Sequence, residues 1–381
     1  MPVTLSEIAK AAGVSLSTAS RAVSNSSHPM NAETKSKILK VVRKLGYHPN
    51  LVARSLRTDR TNTIGIICEN ILSPFIPPII RGIQDHLRTV GYFSTIVNSD
   101  WDRAVEEETI NALNHRQMDG IIFVETWHRS AKAIRQITDK PFAFVHRIFR
   151  GESENSIRVD ELYGARLAVS HLIQLGHTRI GFINGPKNWD AAKERLRGYR
   201  TELAEHKIPY SERLVKEGDW EVKGGYAAAQ KLLERPKNRP TAIFAANDLM
   251  ALGATYAIQE VGLRVPEDVA VVGYDNRNFA GIVRPALTTV TLPAYEMGNA
   301  AAKLLLNLIN KRIADVENIE IRGELIVRQS CGADKGKWVF EAEEGGKAWR
   351  NKRRREMDFH FLKQSKSQTS KQKESRSAAS L

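Results

Sequence analysis

Thr4–Asn25 reads TLSEIAKAAGVSLSTASRAVSN. Thr4 is followed three residues later by Glu7, the spacing at which a helix N-cap and its third residue satisfy each other's backbone amides. Leu5, Ile8, Ala9 and Ala12 then fall on one face of a helix, and Gly13 can end it in the left-handed conformation. The chain restarts at once. Ser15 caps a second helix whose Ala19, Ala22 and Val23 face inward and whose Leu16, Ser17, Ser20 and Arg21 face out. A third helix follows in NAETKSKILKVVRKLGY, residues 31–47, with Ile38, Val41, Val42 and Leu45 inward and Gly46 at its end. Two short helices separated by Gly13–Val14 and a cap form a helix-turn-helix, which sets its second helix in a DNA major groove. The residue types suit that use. Ser15 or Thr18 can reach phosphate, Arg21 a guanine edge, and Leu16 a thymine methyl, while the small Ser17 and Ser20 permit close approach. An ordinary three-helix bundle with a polar face would share the helix pair.

Charge favours the first reading. The 381 residues carry a formal net charge of +14, unevenly placed. Residues 1–62 hold 10 Lys+Arg against 3 Asp+Glu, residues 333–381 hold 13 against 7, and residues 63–332 hold 34 against 33. A nearly neutral body with two basic ends suggests a polyanionic partner, nucleic acid first. No run approaches the ~18 apolar residues of a membrane span, and MPVTLSEIAK lacks a charged-then-apolar leader pattern, so no membrane partner is expected. The only cysteines are Cys68 and Cys331, with no CxxC pair. That excludes a disulfide framework, argues against a zinc site and fits a reducing cytoplasm. Gly-rich phosphate loops, HExxH and GxSxG are all absent, so neither an enzyme nor a cofactor is expected. His171 and His177, six apart in HLIQLGH, read as structural rather than metal ligands.

Outward from the third helix, residues 43–56 continue RKLGYHPNLVARSL. Together, V-S-x-x-T-x-S-R near residue 15 and Y-x-P-N-x-x-A-R-x-L from Tyr47 resemble the LacI/GalR family of bacterial repressors. The NSSHPMNAET turn is about one residue longer than is usual there. The resemblance implies that Asn50 caps a short hinge helix, Leu51–Leu56, which folds on operator DNA, pairs with its twin and enters the minor groove. Thr4, Ala53 and Arg54 are further DNA-binding candidates. Leu56 would wedge between central base pairs. An apolar wedge unstacks a step and kinks the duplex at a cost of roughly a few kcal/mol, offset by contacts the bend permits.

Beyond residue 62 strand-like segments alternate with amphipathic helices. TIGIIC, YFSTIV, GIIFV, PFAFVH, RIGFIN, TAIFAA and DVAVVGY are the strands. Such alternation predicts doubly wound parallel sheets, and about 270 residues predict two lobes. GARLAVSHLIQLGHTRIGFINGP, AIFAANDLMALGATYAIQEVGLRVPEDVAVVGYDN and RPALTTV are family-like and in order. They imply a periplasmic-binding-protein-like body whose chain crosses between lobes near residues 160 and 291, and a homodimer that reads a pseudo-palindromic operator. Ligands of such sheets bind beyond the carboxyl ends of the strands. The loops there supply Phe75, Arg195, Trp220, Asn247 and Asp275, two aromatic faces and a mixed set of hydrogen-bonding groups suited to a sugar or sugar acid. The same positions hold the effector in sugar-responsive members. His146 stands where many relatives have Asp, and with Arg195 it points toward an anionic sugar derivative. Trp189 stands where purine-responsive relatives carry an arginine. Each residue also has a plainer use: Asn247 as a helix cap, Asp275 in a turn, Trp220 in a core, Arg195 paired with a surface acid, His146 in local packing.

The expected organisation is an all-α helix-turn-helix headpiece (1–48), a hinge helix and linker (49–62), an α/β two-lobed effector-binding and dimerisation body (63–332), and a basic, disordered tail (333–381). The expected function is ligand-controlled regulation of carbohydrate-use genes. Two alternatives stand beside it: control by a phosphoprotein corepressor, and a solute-binding protein, which would share the body without the headpiece.

Overall fold

The computed structural model describes residues 3–23, 30–47, 55, 58, 60–124, 131–146, 154–312 and 316–333. The headpiece contains α1 (Leu5–Ala12), α2 (Leu16–Val23) and α3 (Ala32–Leu45). Its small core is Ile8, Ala9, Ala12, Ala19, Ala22 and Ile38, with Val41, Val42 and Tyr47 packed around it. Four of those six are alanines, so the helices approach closely. Gly13 and Gly46 end α1 and α3 at φ +66° and +63°, which glycine adopts without a Cβ penalty. Leu45, expected inward, is instead 39% exposed. It sits in the last turn of α3 and is not among the residues packed on that core.

The body is built on two six-stranded sheets. The first takes β1 (Thr63–Cys68), β2 (Phe93–Asn98), β3 (Gly120–Val124), β4 (Phe142–Val145) and β5 (Ser156–Val159) in the order β2-β1-β3-β4-β5 and adds β11 (Asn318–Ile321) beside β5. The second takes β6 (Ile180–Asn184), β7 (Val215–Glu217), β8 (Ala242–Ala245), β9 (Ala270–Asp275) and β10 (Thr288–Thr291) in the equivalent order β7-β6-β8-β9-β10 and adds β12 (Leu325–Ile326). The central pairs β1–β3, β3–β4, β6–β8 and β8–β9 are parallel. In this winding the strand order reverses between β1 and β3, and between β6 and β8, the switch points beside which ligands bind.

The helices of the body are α4 (Ile76–Thr89), α5 (Arg103–His115), α6 (Ala131–Arg135), α7 (Glu161–Gln174), α8 (Asp190–Glu205), α9 (Val222–Leu233), α10 (Asp248–Glu260) and α11 (Ala294–Ile309). In the first sheet, Ile122 and Val124 join the layer under α4 and α11, while Ile121 and Phe123 join the layer under α5 and α6. Period-two alternation with both faces apolar is what a sheet covered on both sides requires. Glycines set the closest helix contacts. A Cβ on Gly82 of α4 would lie 2.0 Å from the Tyr295 carbonyl oxygen, and one on Gly298 of α11 would lie 1.9 Å from that of Ile79. Gly225 of α9 and Gly253 of α10 repeat the arrangement, at 2.3 Å from Met250 O and 2.1 Å from Val222 O.

The chain separates into two compact units, one of residues 1–170, 184–210 and 290–325, the other of residues 171–183, 211–289 and 326–381. It leaves the first sheet after β5, returns after β10, and crosses again between β11 and β12. Strands β5, β7, β10, β11 and β12 are not among the segments that the sequence pattern predicts as strands. No helix among the described residues is long and apolar enough to cross a membrane.

Candidate functional site

On the headpiece the outward face of α2 has the expected composition. Leu16 is 54% exposed beside exposed Ser15, Ser17 and Arg21, and Ser20 is half-buried. Ser15 Oγ accepts from the Thr18 amide at 3.2 Å and lies 2.8 Å from Thr18 Oγ1 and 2.9 Å from Ser17 Oγ. These hydroxyls are therefore ordered by the cap before any DNA arrives. Thr4 is likewise engaged: its Oγ1 accepts from Glu7 N at 3.3 Å, and its backbone amide donates to Glu7 Oε2 at 2.7 Å. That amide, together with Thr4 Oγ1 donating to Glu7 Oε2 at 2.9 Å, holds the Glu7 carboxyl below its ordinary pKa. An exposed leucine flanked by hydroxyls and an arginine forms no core. Of the hinge, Ser55 and Thr58 are helical. Asn50, Ala53, Arg54 and Leu56 lie outside the described residues, as do residues 24–29 of the long turn and residues 334–381 of the tail.

In the first unit, Phe75 precedes α4 and its ring centroid lies 6.1 Å from that of His146, which follows β4. His146 has φ +57° and donates its backbone amide to Ile157 O at 2.9 Å. Arg195 is 4% exposed. Its Nε donates to Glu161 Oε2 at 2.8 Å, with both side chains nearly inaccessible. The plain reading of Arg195 as an ion-pair residue thus holds, with a buried partner instead of a surface one. Gly198, one turn on, lets α8 close on α7, since a Cβ there would meet Leu162 O at 2.6 Å. Trp189 is 37% exposed immediately before α8.

In the second unit, Asn247 spends one valence of each side-chain group: Oδ1 accepts from Met250 N at 2.8 Å, capping α10, and Nδ2 donates to Trp220 O at 2.8 Å. One amide hydrogen and one lone pair remain for a ligand. Trp220 has φ +69° and Asp275, at the end of β9, φ +108°. Asp275 is 8% exposed. Non-glycine residues rarely occupy this region, least of all bulky ones. Such conformations cost about 1–3 kcal/mol each and gather at ligand sites. Three of the six candidate effector residues, His146, Trp220 and Asp275, are held this way.

A residue that the sequence pattern does not single out braces the Asp275 turn. Asp248 is fully buried. Its Oδ2 accepts from Arg277 N at 2.7 Å and its Oδ1 from Thr289 Oγ1 at 2.5 Å. Asn276, at φ +52°, takes a bond from Arg328 Nη2 to Oδ1 at 2.8 Å. Burial pushes the Asp248 carboxyl up to about 7, against the opposing pull of those hydrogen bonds and of Arg328 and Arg277. Its signal was the ND pair itself: a second polar residue after a buried strand, inside the first turn of an alanine-rich helix. Trp101 was also missed. It follows β2 with φ +63° and is 48% exposed. Among the described residues no group of three or more His, Cys, Asp and Glu could hold a metal ion. His171 and His177 bond to Cys331 Sγ and Thr241 Oγ1 at 3.3 and 3.0 Å.

Residues 4–50 match the pattern of bacterial regulatory proteins of the lacI family, and residues 169–331 that of the periplasmic binding protein-like domain. Catabolite control protein A of Priestia megaterium is 34% identical over 337 residues, spanning 87% of this chain and 99% of that protein. The chain belongs to the lacI family of bacterial regulatory proteins. A further LacI-family relative, the HTH-type transcriptional repressor PurR of Edwardsiella ictaluri, is 33% identical over 332 residues, covering 86% and 96% of the two chains. Among solved structures, the Lac repressor dimer bound to operator and the anti-inducer ONPF has a TM-score of 0.69 at 29% identity, covering 87% of this chain and 99% of its own. The transcriptional regulator CelR–cellobiose complex has a TM-score of 0.63 at 31% identity, covering 86% and 99%. As a LacI-family member the chain is a DNA-binding transcriptional regulator and not an enzyme.

Proposed function

We propose that this regulator is a cytoplasmic, homodimeric repressor of carbohydrate-use genes whose hold on a pseudo-palindromic operator is set by a sugar or sugar-acid effector. Leu16 and Arg21 read the major groove, Ser17 and Ser20 let the helix approach it, and Ser15 or Thr18 reaches phosphate. Asn50 caps the hinge helix, Leu56 wedges into the minor groove, and Thr4, Ala53 and Arg54 add contacts to DNA. Phe75, His146, Arg195, Trp220, Asn247 and Asp275 recognise the effector. The observation that carries the effector reading is the left-handed backbone of His146, Trp220 and Asp275 at the carboxyl ends of their strands, strain that a ligand-binding role explains. The ligand acts by favouring one of two states that differ in operator affinity. The CelR–cellobiose complex supports a sugar ligand. The likeness to catabolite control protein A supports a second reading, in which a phosphoprotein partner supplies the signal.

A thermal-shift screen of the full chain against sugars, sugar acids, sugar phosphates and purines tests this. At a hundredfold excess over Kd a ligand adds about 2.7 kcal/mol, a rise of roughly 3–5 °C at this size. A rise with one carbohydrate, lost in Asp275→Asn, is expected. A rise with purines alone rejects the sugar reading, and no response to the whole set favours the protein-partner reading.

A further inference from the structure

The residues that join hinge to body are held to a degree that a linker does not require. Arg60, Thr61 and Asn62 read by composition as a polar connector. Yet the Thr61 and Asn62 amides both donate to the Asp119 carboxylate, at 2.8 Å to Oδ1 and 3.1 Å to Oδ2. Thr61 Oγ1 donates to Gln117 O at 2.9 Å. Asn62 is fixed at φ +53°, and its carbonyl accepts from Phe93 N at 2.9 Å. Arg60 reaches a third element: Nη1 donates to Asn310 Oδ1 at 2.8 Å and Nη2 to Ile309 O at 3.3 Å, at the end of α11. Asn310 is itself pinned, its Nδ2 donating to Leu306 O at 2.8 Å. Tyr92 stands against both Arg60 and Asp119, and burial followed by the Asp119 charge holds its hydroxyl pKa up. Toward the headpiece, helical Thr58 donates Oγ1 to Arg60 O at 3.3 Å.

Three consecutive linker residues are thus tied to the turn before β3, the start of β2 and the carboxyl end of α11. A guanidinium over the last carbonyls of a helix also complements its negative end. The alternative for such a segment is free rotation, with the hinge searching for its groove at the full entropic cost of ordering.

We propose that Asp119, with Asn310, is a positioning residue for specific DNA binding: it clamps the linker so that the hinge leaves the body in one fixed direction, without touching DNA. The inference rests on the DNA-binding reading of the hinge. Loss of the clamp leaves phosphate contacts intact, so nonspecific binding is preserved, while minor-groove docking of the hinge must be ordered anew.

The test uses full-length protein and a duplex that the wild type selects from a random-sequence pool. Asp119→Asn and Asn310→Ala are compared with wild type on that duplex and on random-sequence DNA, with Tm and amide hydrogen exchange at Thr61 and Asn62. At least a tenfold loss on the selected duplex is expected for Asp119→Asn, with nonspecific affinity and Tm nearly unchanged and faster exchange at both amides. Asp119→Glu should recover part of the loss. Selected-duplex affinity within twofold of wild type in both variants overturns the proposal. A parallel fall of Tm and of both affinities assigns Asp119 to folding alone and overturns it as well. Failure of the wild type to select any sequence instead removes the DNA-binding reading beneath it.

Discussion

Asp248 is a carboxylate whose folded environment prefers the proton. Its pKa is raised to about 7 by burial, against about 3.9 in an unfolded chain. The native state therefore holds a proton that the unfolded state releases. The corresponding stability is present below pH ~4 and is lost as pH rises toward 7. Asp248→Asn should flatten this slope: across pH 4–8 the difference in Tm between variant and wild type should shift in favour of Asn as pH rises. A constant difference would show that the carboxyl ionises freely in the folded protein. Arg195 poses a different problem. Truncating it strands Glu161, a buried charge, at a cost of about 3–5 kcal/mol. Arg195→Ala should lower stability measurably in urea, so loss of effector response in that variant alone says little. Arg195→Gln paired with Glu161→Gln is the cleaner probe, expected to recover most of the stability and leave the effector response impaired. Residue types at strand ends were legible in sequence because winding fixes where ligands bind. That Arg195 would be buried against Glu161, and that Asp248 would hold the Arg277 amide and the Thr289 hydroxyl, was not, since both facts depend on groups distant in sequence.

At the scale of elements, the long apolar strands announced themselves, because a fully buried strand has little choice of residue. The strands that sequence did not reveal are two to four residues long. VKE, NIEI and SIRV carry charge, and TTVT is three-quarters threonine. Pairing to an existing sheet makes them strands, so no local pattern could. Helix contacts were equally opaque. Gly82 and Gly298 read as ordinary helix glycines until each is seen against the other helix's backbone. A Cβ against a carbonyl oxygen cannot be relieved by a rotamer change, so the helices must separate. Gly298→Ala should cost about 1–3 kcal/mol or more, read from the urea midpoint. Gly46→Ala loses only the left-handed preference of an open site, about 1 kcal/mol. Equal effects of the two would mean that α4 and α11 yield easily.

For the whole molecule, charge and headpiece together set how DNA is held. The basic ends, against a body that is nearly neutral, place the electrostatic contribution on phosphate contacts. Binding should weaken along a straight line of log K against log salt, with a slope of about −0.9 per phosphate contacted. Leu56→Ala should leave that slope unchanged while lowering affinity for a selected operator by about 1–3 kcal/mol and reducing its bend, read by gel mobility of permuted fragments. An unaltered bend and affinity would remove Leu56 from the minor groove.

The sixth strands carry a consequence for synthesis. β11 and β12 come from residues 318–326, yet they complete sheets begun at residues 63 and 180. Neither sheet can close while the ribosome is still making the preceding three hundred residues. Until then β5 presents an open edge, available to any passing strand. Vectorial synthesis thus gives this chain no early, self-sufficient folding unit in its body. A nonsense codon anywhere before residue 326 leaves at least one sheet unfinished, and one before residue 318 leaves both.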